Sequence, residues 1–138
     1  MKSIVSLAAV LLSLAGAQAQ AQAPVETQKL PSGVIVEHTV QGQGAQPTVS
    51  SVVQVHYRGT LADGKEFDSS FKRGQPTTFP LNRVIPCWTE GLQQMKVGGK
   101  AKLTCPANTA YGAQGIPGVI PGNSTLTFEV ELLNVATR

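Results

Sequence analysis

The chain has 138 residues, of which 14% are charged, and a formal net charge of +3. This length is enough for one domain with its own hydrophobic core. So weak a positive charge argues against a nucleic-acid-binding protein, and the basic residues are scattered. Short basic runs such as Lys72-Arg73 are expected on solvated faces.

The first 21 residues have the pattern of a secretory signal peptide. Met1-Lys2 gives a positive start, residues 4–16 form an apolar run, and small residues alternate with glutamine over residues 17–23. The apolar run is shorter than the about 20 residues needed to span a bilayer, so no stable membrane anchor is expected. Cleavage is predicted after Ala19 or Ala21, and the mature protein is predicted to be periplasmic or secreted.

Alternation of apolar and polar residues predicts most of the remaining elements. It favours strands at residues 34–40, 52–61, 66–71, 77–81, 100–105 and 125–135. The pair Asp63-Gly64 between the second and third strands is a strong hairpin signal. Residues 22–29, which are polar, are predicted to be a flexible tether.

One helix is predicted, over residues 88–95. Trp88, Leu92 and Met95 recur there at i, i+4 and i+7 and form one apolar stripe. Alternating strands with a single short helix predict an α+β domain over residues 30–138. Its antiparallel sheet is expected to pack its apolar face against that helix.

The chain has two cysteines, Cys87 and Cys105. An even number in an exported chain favours a disulfide. Two buried thiols are an alternative, and so is a metal site with His38 and His56, although the spacing does not match that of a zinc site. We predict no metal and no cofactor.

Four clusters of aromatic and apolar residues follow one another along the chain. They are residues 55–71, 84–92, 110–121 and 126–133. The predicted hairpin in the first cluster brings two aromatic side chains and a carboxylate together, which suits a small apolar pocket with one polar anchor. Each residue alone has a simpler explanation, because an aromatic on a strand is more often part of the core and an aspartate often caps a turn.

With these four clusters in this order, residues 30–136 closely resemble the FKBP-type peptidyl-prolyl cis-trans isomerases. The resemblance implies the fold of that family, a twisted antiparallel sheet wrapped around one short helix. It implies an enzyme that accelerates rotation about X-Pro bonds of proline-containing polypeptides during the folding of exported proteins. It also implies a monomer that macrolide FKBP ligands inhibit. A non-catalytic module or holdase chaperone that grips proline-containing segments in the same pocket is the alternative.

The resemblance assigns a role to ten residues. The catalytic set is Tyr57, Asp68, Trp88, Tyr111 and Phe128, and the substrate-binding set is Phe67, Val84, Ile85, Val119 and Ile120. Trp88 would be the floor under the proline ring, and the other aromatic rings would be the walls. Asp68 would interact with the twisting amide or orient Tyr57, while Tyr111 and the Ile85 N–H would each donate to a substrate carbonyl. Val119 and Ile120 would form a movable rim.

The chain departs from the family pattern at several positions. Cys87 stands where many members have glycine, Thr77 where many eukaryotic members have an aromatic residue, and Ile116 where histidine or another polar residue is frequent. The segment 81–84 is also shorter than the corresponding segment of eukaryotic members. These departures imply a thinner pocket wall and altered inhibitor contacts. The family fold packs the start of the helix against the strand that ends at Cys105, so the resemblance places Cys87 within bonding reach of Cys105.

Overall fold

The computed structural model describes residues 24–137, so the predicted signal peptide at residues 1–21 lies outside the described residues. Its strands are β1 Glu26–Lys29, β2 Ile35–Val40, β3 Ser51–Thr60, β4 Glu66–Ser69, β5 Thr77–Pro80, β6 Lys100–Cys105 and β7 Leu126–Thr137. Its helices are α1 Ser70–Arg73 and α2 Pro86–Leu92, with 3-10 turns at Leu81–Arg83 and Ala107–Thr109. No helix within residues 24–137 combines the length and the apolar character needed to cross a membrane.

All seven strands belong to one antiparallel sheet. The order is β1-β2-β6-β7-β3-β4, and β5 pairs with the same edge of β3 as β4 does, further toward the start of β3. One face of this sheet packs against α2, and the buried apolar side chains of both form the core. The predicted α+β fold class is confirmed.

Strand β3 has ten residues, which alternate strictly between buried and partly exposed positions. Val53, Val55 and Tyr57 point into the core, as their spacing predicts. The strand is followed by the predicted hairpin turn, in which the Leu61 N–H donates to the Lys65 carbonyl at 2.8 Å. Gly64 adopts a positive φ of 90° there, which explains the glycine.

The third predicted strand ends earlier than expected. Residues 70 and 71 were expected to continue it, but the chain forms the one-turn helix α1. The Ser69 hydroxyl caps this helix by accepting a hydrogen bond from the Lys72 N–H at 3.3 Å, and Gly74 ends it with a φ of 77°. The turn brings Arg73 back toward β4.

Helix α2 lies about half a turn before its predicted position. It begins at Pro86, because proline is well tolerated at the first helical position, where its missing N–H needs no partner. After Leu92 the backbone tightens into i to i+3 hydrogen bonds, from Gln94 to Gly91 and from Met95 to Leu92. The predicted apolar stripe of Trp88, Leu92 and Met95 is buried all the same.

The predicted tether is wrong for residues 26–29, which form β1. This strand pairs with β2, and the His38 Nε2 lies 2.6 Å from the Gln28 side-chain oxygen. A polar segment can form such an edge strand because the backbone N–H and C=O groups of β2 need hydrogen-bond partners, and because only one face of an edge strand has to pack against the rest of the protein.

Cys87 and Cys105 form the favoured disulfide, with their Cα atoms 5.6 Å apart and a sequence separation of 18. The alternatives of two free thiols or a cysteine metal site are therefore wrong. Both sulfur-bearing side chains are completely buried. The bond joins the first turn of α2 to the end of β6.

Candidate functional site

A cavity of about 450 Å³ opens where the β3–β4 hairpin, β5, the start of α2 and the loop after β6 meet. Its lining comprises Tyr57, Phe67, Asp68, Phe79, Arg83, Val84, Ile85, Trp88, Tyr111 and Phe128. Eight of the ten predicted site residues are in this set. The size is typical of a pocket for a small molecule or for a few residues of a peptide.

Trp88 lies at the bottom of an aromatic box. The rings of Tyr57, Phe79 and Phe128 stand nearly perpendicular to the indole plane, at 83°, 84° and 86°, with centroids 5.1 to 5.3 Å away. Perpendicular contacts at this distance are the favoured geometry of aromatic pairs. The indole therefore forms the flat bottom of the cavity, and the three neighbouring rings form its sides.

Gly59 of β3 makes room for two of these rings. A Cβ atom at this position would lie 2.6 Å from the Phe67 ring and 2.9 Å from the Phe128 ring. Real Cβ atoms do not approach other atoms so closely, and both contacts are with rigid rings. Any other residue at position 59 would therefore push the aromatic walls apart.

A closed triangle of hydrogen bonds forms the polar edge of the cavity. The Tyr57 hydroxyl donates to Asp68 Oδ2 at 2.5 Å, and Arg73 Nη1 donates to Asp68 Oδ1 at 2.6 Å. Arg73 Nη2 also donates to the Tyr57 hydroxyl oxygen at 3.1 Å. This geometry is compatible with the predicted role of Asp68 in orienting Tyr57, because the carboxylate accepts a hydrogen bond from the Tyr57 hydroxyl.

The triangle changes how each group ionises. Burial works against the charged form of Asp68, but the hydrogen bonds from Tyr57 and Arg73 outweigh it, and the pKa of Asp68 lies below its ordinary value. Burial raises the pKa of Tyr57, and its hydrogen bond to the Asp68 carboxylate raises it further. At neutral pH, Asp68 is therefore an anion and Tyr57 a neutral donor.

The Ser70 hydroxyl holds the backbone at Tyr57 in place. Its buried hydroxyl accepts a hydrogen bond from the Tyr57 N–H at 2.7 Å and lies 2.8 Å from His56 Nδ1. On the edge of β3 opposite β7, residues 56 and 57 have no strand partner, because they lie between the stretches that pair with β5 and β4. The serine side chain takes the place of that partner and ties α1 to β3.

The loop after β6 contributes Tyr111, whose side chain is 39% exposed at the cavity mouth. Burial of part of the ring raises the pKa of Tyr111, and the negative charge of Asp68 adds to the effect. Val119 and Ile120, predicted as a rim, do not line the cavity. Ile120 is 3% exposed and belongs to the core, while Val119 is 45% exposed in a tight turn closed by Ile116–Ile120 backbone hydrogen bonds.

Comparison with known proteins places this chain in a family. A sequence model of the family described as FKBP-type peptidyl-prolyl cis-trans isomerase matches residues 43–133. The chain belongs to this FKBP family.

Two relatives and two solved structures show how far the similarity extends. FkpA of Escherichia coli K12 is 54% identical over 104 residues, which cover 75% of this chain and 38% of FkpA. FK506-binding protein 1A of Emericella nidulans is 52% identical over 108 residues, which cover 75% of this chain and 98% of that protein.

The crystal structure of E. coli FkpA matches with a TM-score of 0.77 and 50% identity, over 80% of this chain and 52% of that one. A peptidyl-prolyl cis-trans isomerase from Pseudomonas syringae pv. tomato matches with a TM-score of 0.76 and 39% identity, over 80% of this chain and 81% of that one. The chain thus spans much less than the whole length of the FkpA proteins and most of the length of smaller FKBPs.

Three residues of this FKBP site were missed from the sequence. Phe79 on β5 forms one side of the cavity, on the strand where Thr77 had suggested a thin wall. It was missed because β5 is too short to show a clear alternation of apolar and polar residues. Arg83 lines the cavity directly before Val84. Arg73, which was expected only on a solvated face, keeps half of its side chain exposed and uses its guanidinium within the polar triangle.

Proposed function

We propose that this chain is a peptidyl-prolyl cis-trans isomerase that accelerates rotation about X-Pro bonds in polypeptides. The observation that carries the proposal is the aromatic box over Trp88, with the hydrogen-bonded Asp68 and Tyr57 at its edge. Such a box is apolar, flat at the bottom and of a size that suits a proline ring.

The chemistry needs no nucleophile. Amide resonance sets a rotation barrier of about 18–20 kcal/mol, and the bond loses its double-bond character when it is twisted. The carbonyl oxygen of the twisted amide carries less negative charge and gains less from hydration. A site that strips water from the amide and surrounds it with rings therefore stabilises the twisted form relative to the planar forms.

The polar residues hold the substrate rather than react with it. Burial and the Asp68 carboxylate raise the pKa of Tyr57, so Tyr57 keeps its proton, and Asp68 and Arg73 together fix the orientation of its hydroxyl. The Ile85 N–H and the Tyr111 hydroxyl are proposed as donors to the carbonyls on either side of the proline. These contacts would hold the chain ends while the central bond turns.

The decisive test is an isomerisation assay on the purified chain, with a peptide that carries leucine before proline. NMR exchange spectroscopy measures cis-to-trans conversion without a coupled protease. Asp68→Asn should lower kcat/KM by about tenfold or more, because a neutral amide orients the Tyr57 hydroxyl less well. Asp63→Asn is the matched control, since Asp63 lies in the turn of the same hairpin and an asparagine oxygen can still accept from the Lys65 N–H.

The binding-module alternative makes a different prediction in the same experiment. A holdase would bind the peptide and a macrolide FKBP ligand without changing the isomerisation rate. Acceleration that the macrolide abolishes supports the enzyme. Binding without acceleration in correctly folded protein would overturn it.

We also propose that the protein is exported and acts on other exported proteins. The signal-like pattern over residues 1–23 supports this, and so does the disulfide, which is typical of proteins in an oxidising compartment. N-terminal sequencing of protein from the cell envelope should find Gln20 or Gln22 first. An intact Met1 there would contradict cleavage.

A further inference from the structure

Arg83 gives the cavity a positive charge that has no ion-pair partner among residues 24–137. It precedes Val84 at the end of the 3-10 turn and is exposed at the cavity wall. No carboxylate of residues 24–137 forms an ion pair with it. The other charged residue of the lining is Asp68, and its charge is already paired with Arg73.

A ligand in the cavity therefore meets one uncompensated cation beside apolar rings. We propose that Arg83 makes the enzyme favour an acidic residue next to the proline over the neutral amide analogue of that residue. The inference rests on the proposed isomerase activity and adds a substrate preference to it. The physical reason is that a carboxylate near Arg83 gains Coulomb energy, and the rest of the lining offers it no competing carboxylate that is unpaired.

The position of Arg83 explains why the neighbouring residue is the one selected. Consecutive Cα atoms are about 3.8 Å apart across a trans peptide bond and about 2.9 Å apart across a cis one, so a proline ring on Trp88 places its neighbours at the rim of a cavity of about 450 Å³. Val84 and Ile85 join Arg83 to the start of α2, whose first turn carries Trp88. A flexible arginine side chain on this segment can reach a carboxylate on an adjacent residue.

The size of the effect follows from the exposure of Arg83. Exposed ion pairs contribute little, so an acidic residue should raise kcat/KM only about two- to fivefold over its neutral amide analogue. The gain should fall as salt is added, because dissolved ions screen a solvent-exposed ion pair more strongly as the Debye length shortens from about 10 Å at 0.1 M to about 3 Å at 1 M.

The test measures kcat/KM by NMR exchange for peptides Ala-Xaa-Pro-Phe, in which Xaa is Glu, Gln, Lys or Leu, and for Ala-Leu-Pro-Xaa with Glu, Gln and Lys. The Glu-to-Gln ratio is taken within each protein, so a general change of activity in a variant cancels. We expect a ratio above 2 in at least one series at low salt. Arg83→Gln should bring the ratio to about 1, and Arg83→Glu should favour lysine instead.

Lys96→Gln is the matched control. It removes one exposed positive charge beyond the C-terminal end of α2, whereas Arg83 precedes its N-terminus. This variant should keep the preference, and its loss there would assign the effect to net charge and overturn the role of Arg83. Equal rates for Glu and Gln in both series would overturn the inference alone, provided that Leu-Pro is turned over. No turnover of the Leu-Pro peptide would instead overturn the proposed activity.

Discussion

Removal of the Cys87–Cys105 disulfide should lower the free energy of unfolding by several kcal/mol and leave catalysis almost unchanged. The bond closes a loop between residues separated by 18 positions. The chain-entropy model gives about 3 kcal/mol for a loop of this size at 25 °C. Each Cys→Ala replacement also removes a buried sulfur atom, which costs about 1 kcal/mol more.

These values predict a non-additive set of variants. Cys87→Ala and Cys105→Ala each break the bond, so each should cost about 4 kcal/mol, and the double variant should cost about 5 kcal/mol rather than 8. Urea unfolding followed by fluorescence measures this directly, because the chain has one tryptophan, which reports on the core. The single variants are kept reduced so that their remaining thiol does not form dimers.

Catalysis should respond differently, because neither cysteine lines the cavity. At 10 °C, where all variants are expected to be folded, kcat/KM should stay within about twofold of the original protein. Costs that simply add in the double variant would refute the cross-link as the source of stability. A more than tenfold loss of activity in the folded double variant would show that the disulfide positions Trp88 and would refute the expectation that catalysis does not depend on the bond.

Three further predictions concern the cavity itself. Trp88→Ala should lower the free energy of unfolding by about 3–5 kcal/mol and abolish activity, whereas Trp88→Phe should retain most of the stability; equal melting temperatures for the original protein and the Ala variant would contradict a packed floor. Tyr111→Phe should weaken substrate binding by about 0.5–1.5 kcal/mol, seen as a higher KM, with no change in melting temperature. The ionised form of Asp68 stabilises the fold above the ordinary carboxyl pKa of about 3.9, and this stability should be lost as the pH falls through the lowered pKa of Asp68. Arg73→Gln removes one cause of the lowered pKa, so the acid loss of stability should move to higher pH, and an unchanged profile would count against the ion pair.

Most of the sheet was predictable because its signals are local, whereas the cavity residues were predicted from the resemblance to the family, since each of them alone suggests a core or turn residue. The alternation in β3 extends over ten residues, and a pattern of that length is hard to produce by chance. The Asp63-Gly64 turn predicts the hairpin and sets Thr60 opposite Glu66, and a register shift between Thr60 and Gly59 then places Asp68 opposite Gly59. The apolar stripe of α2 was recognised although the helix bounds were not, because burial depends on the period and the ends depend on capping.

The missed elements have signals that only a neighbour supplies. Strand β1 is polar, and it forms because β2 has an edge to be paired. Helix α1 has four residues, too few to show a helical period. Its consequence was missed with it, since Arg73 reaches Asp68 only because α1 turns the chain back. Phe79 was missed because its direction depends on the pairing of β5 with Val53 in β3.

The polar triangle explains how a carboxylate can stand at the edge of an apolar site. A free anion beside the twisting amide would hold water and remove the advantage of a dry cavity. Both oxygens of Asp68 are hydrogen-bonded, and Arg73 balances its charge. The triangle therefore supplies a fixed hydroxyl without leaving an unpaired charge. Arg83 is left as the unbalanced charge of the lining, outside the triangle and at the wall, where it can act on the neighbour of the proline and not on the bond that turns.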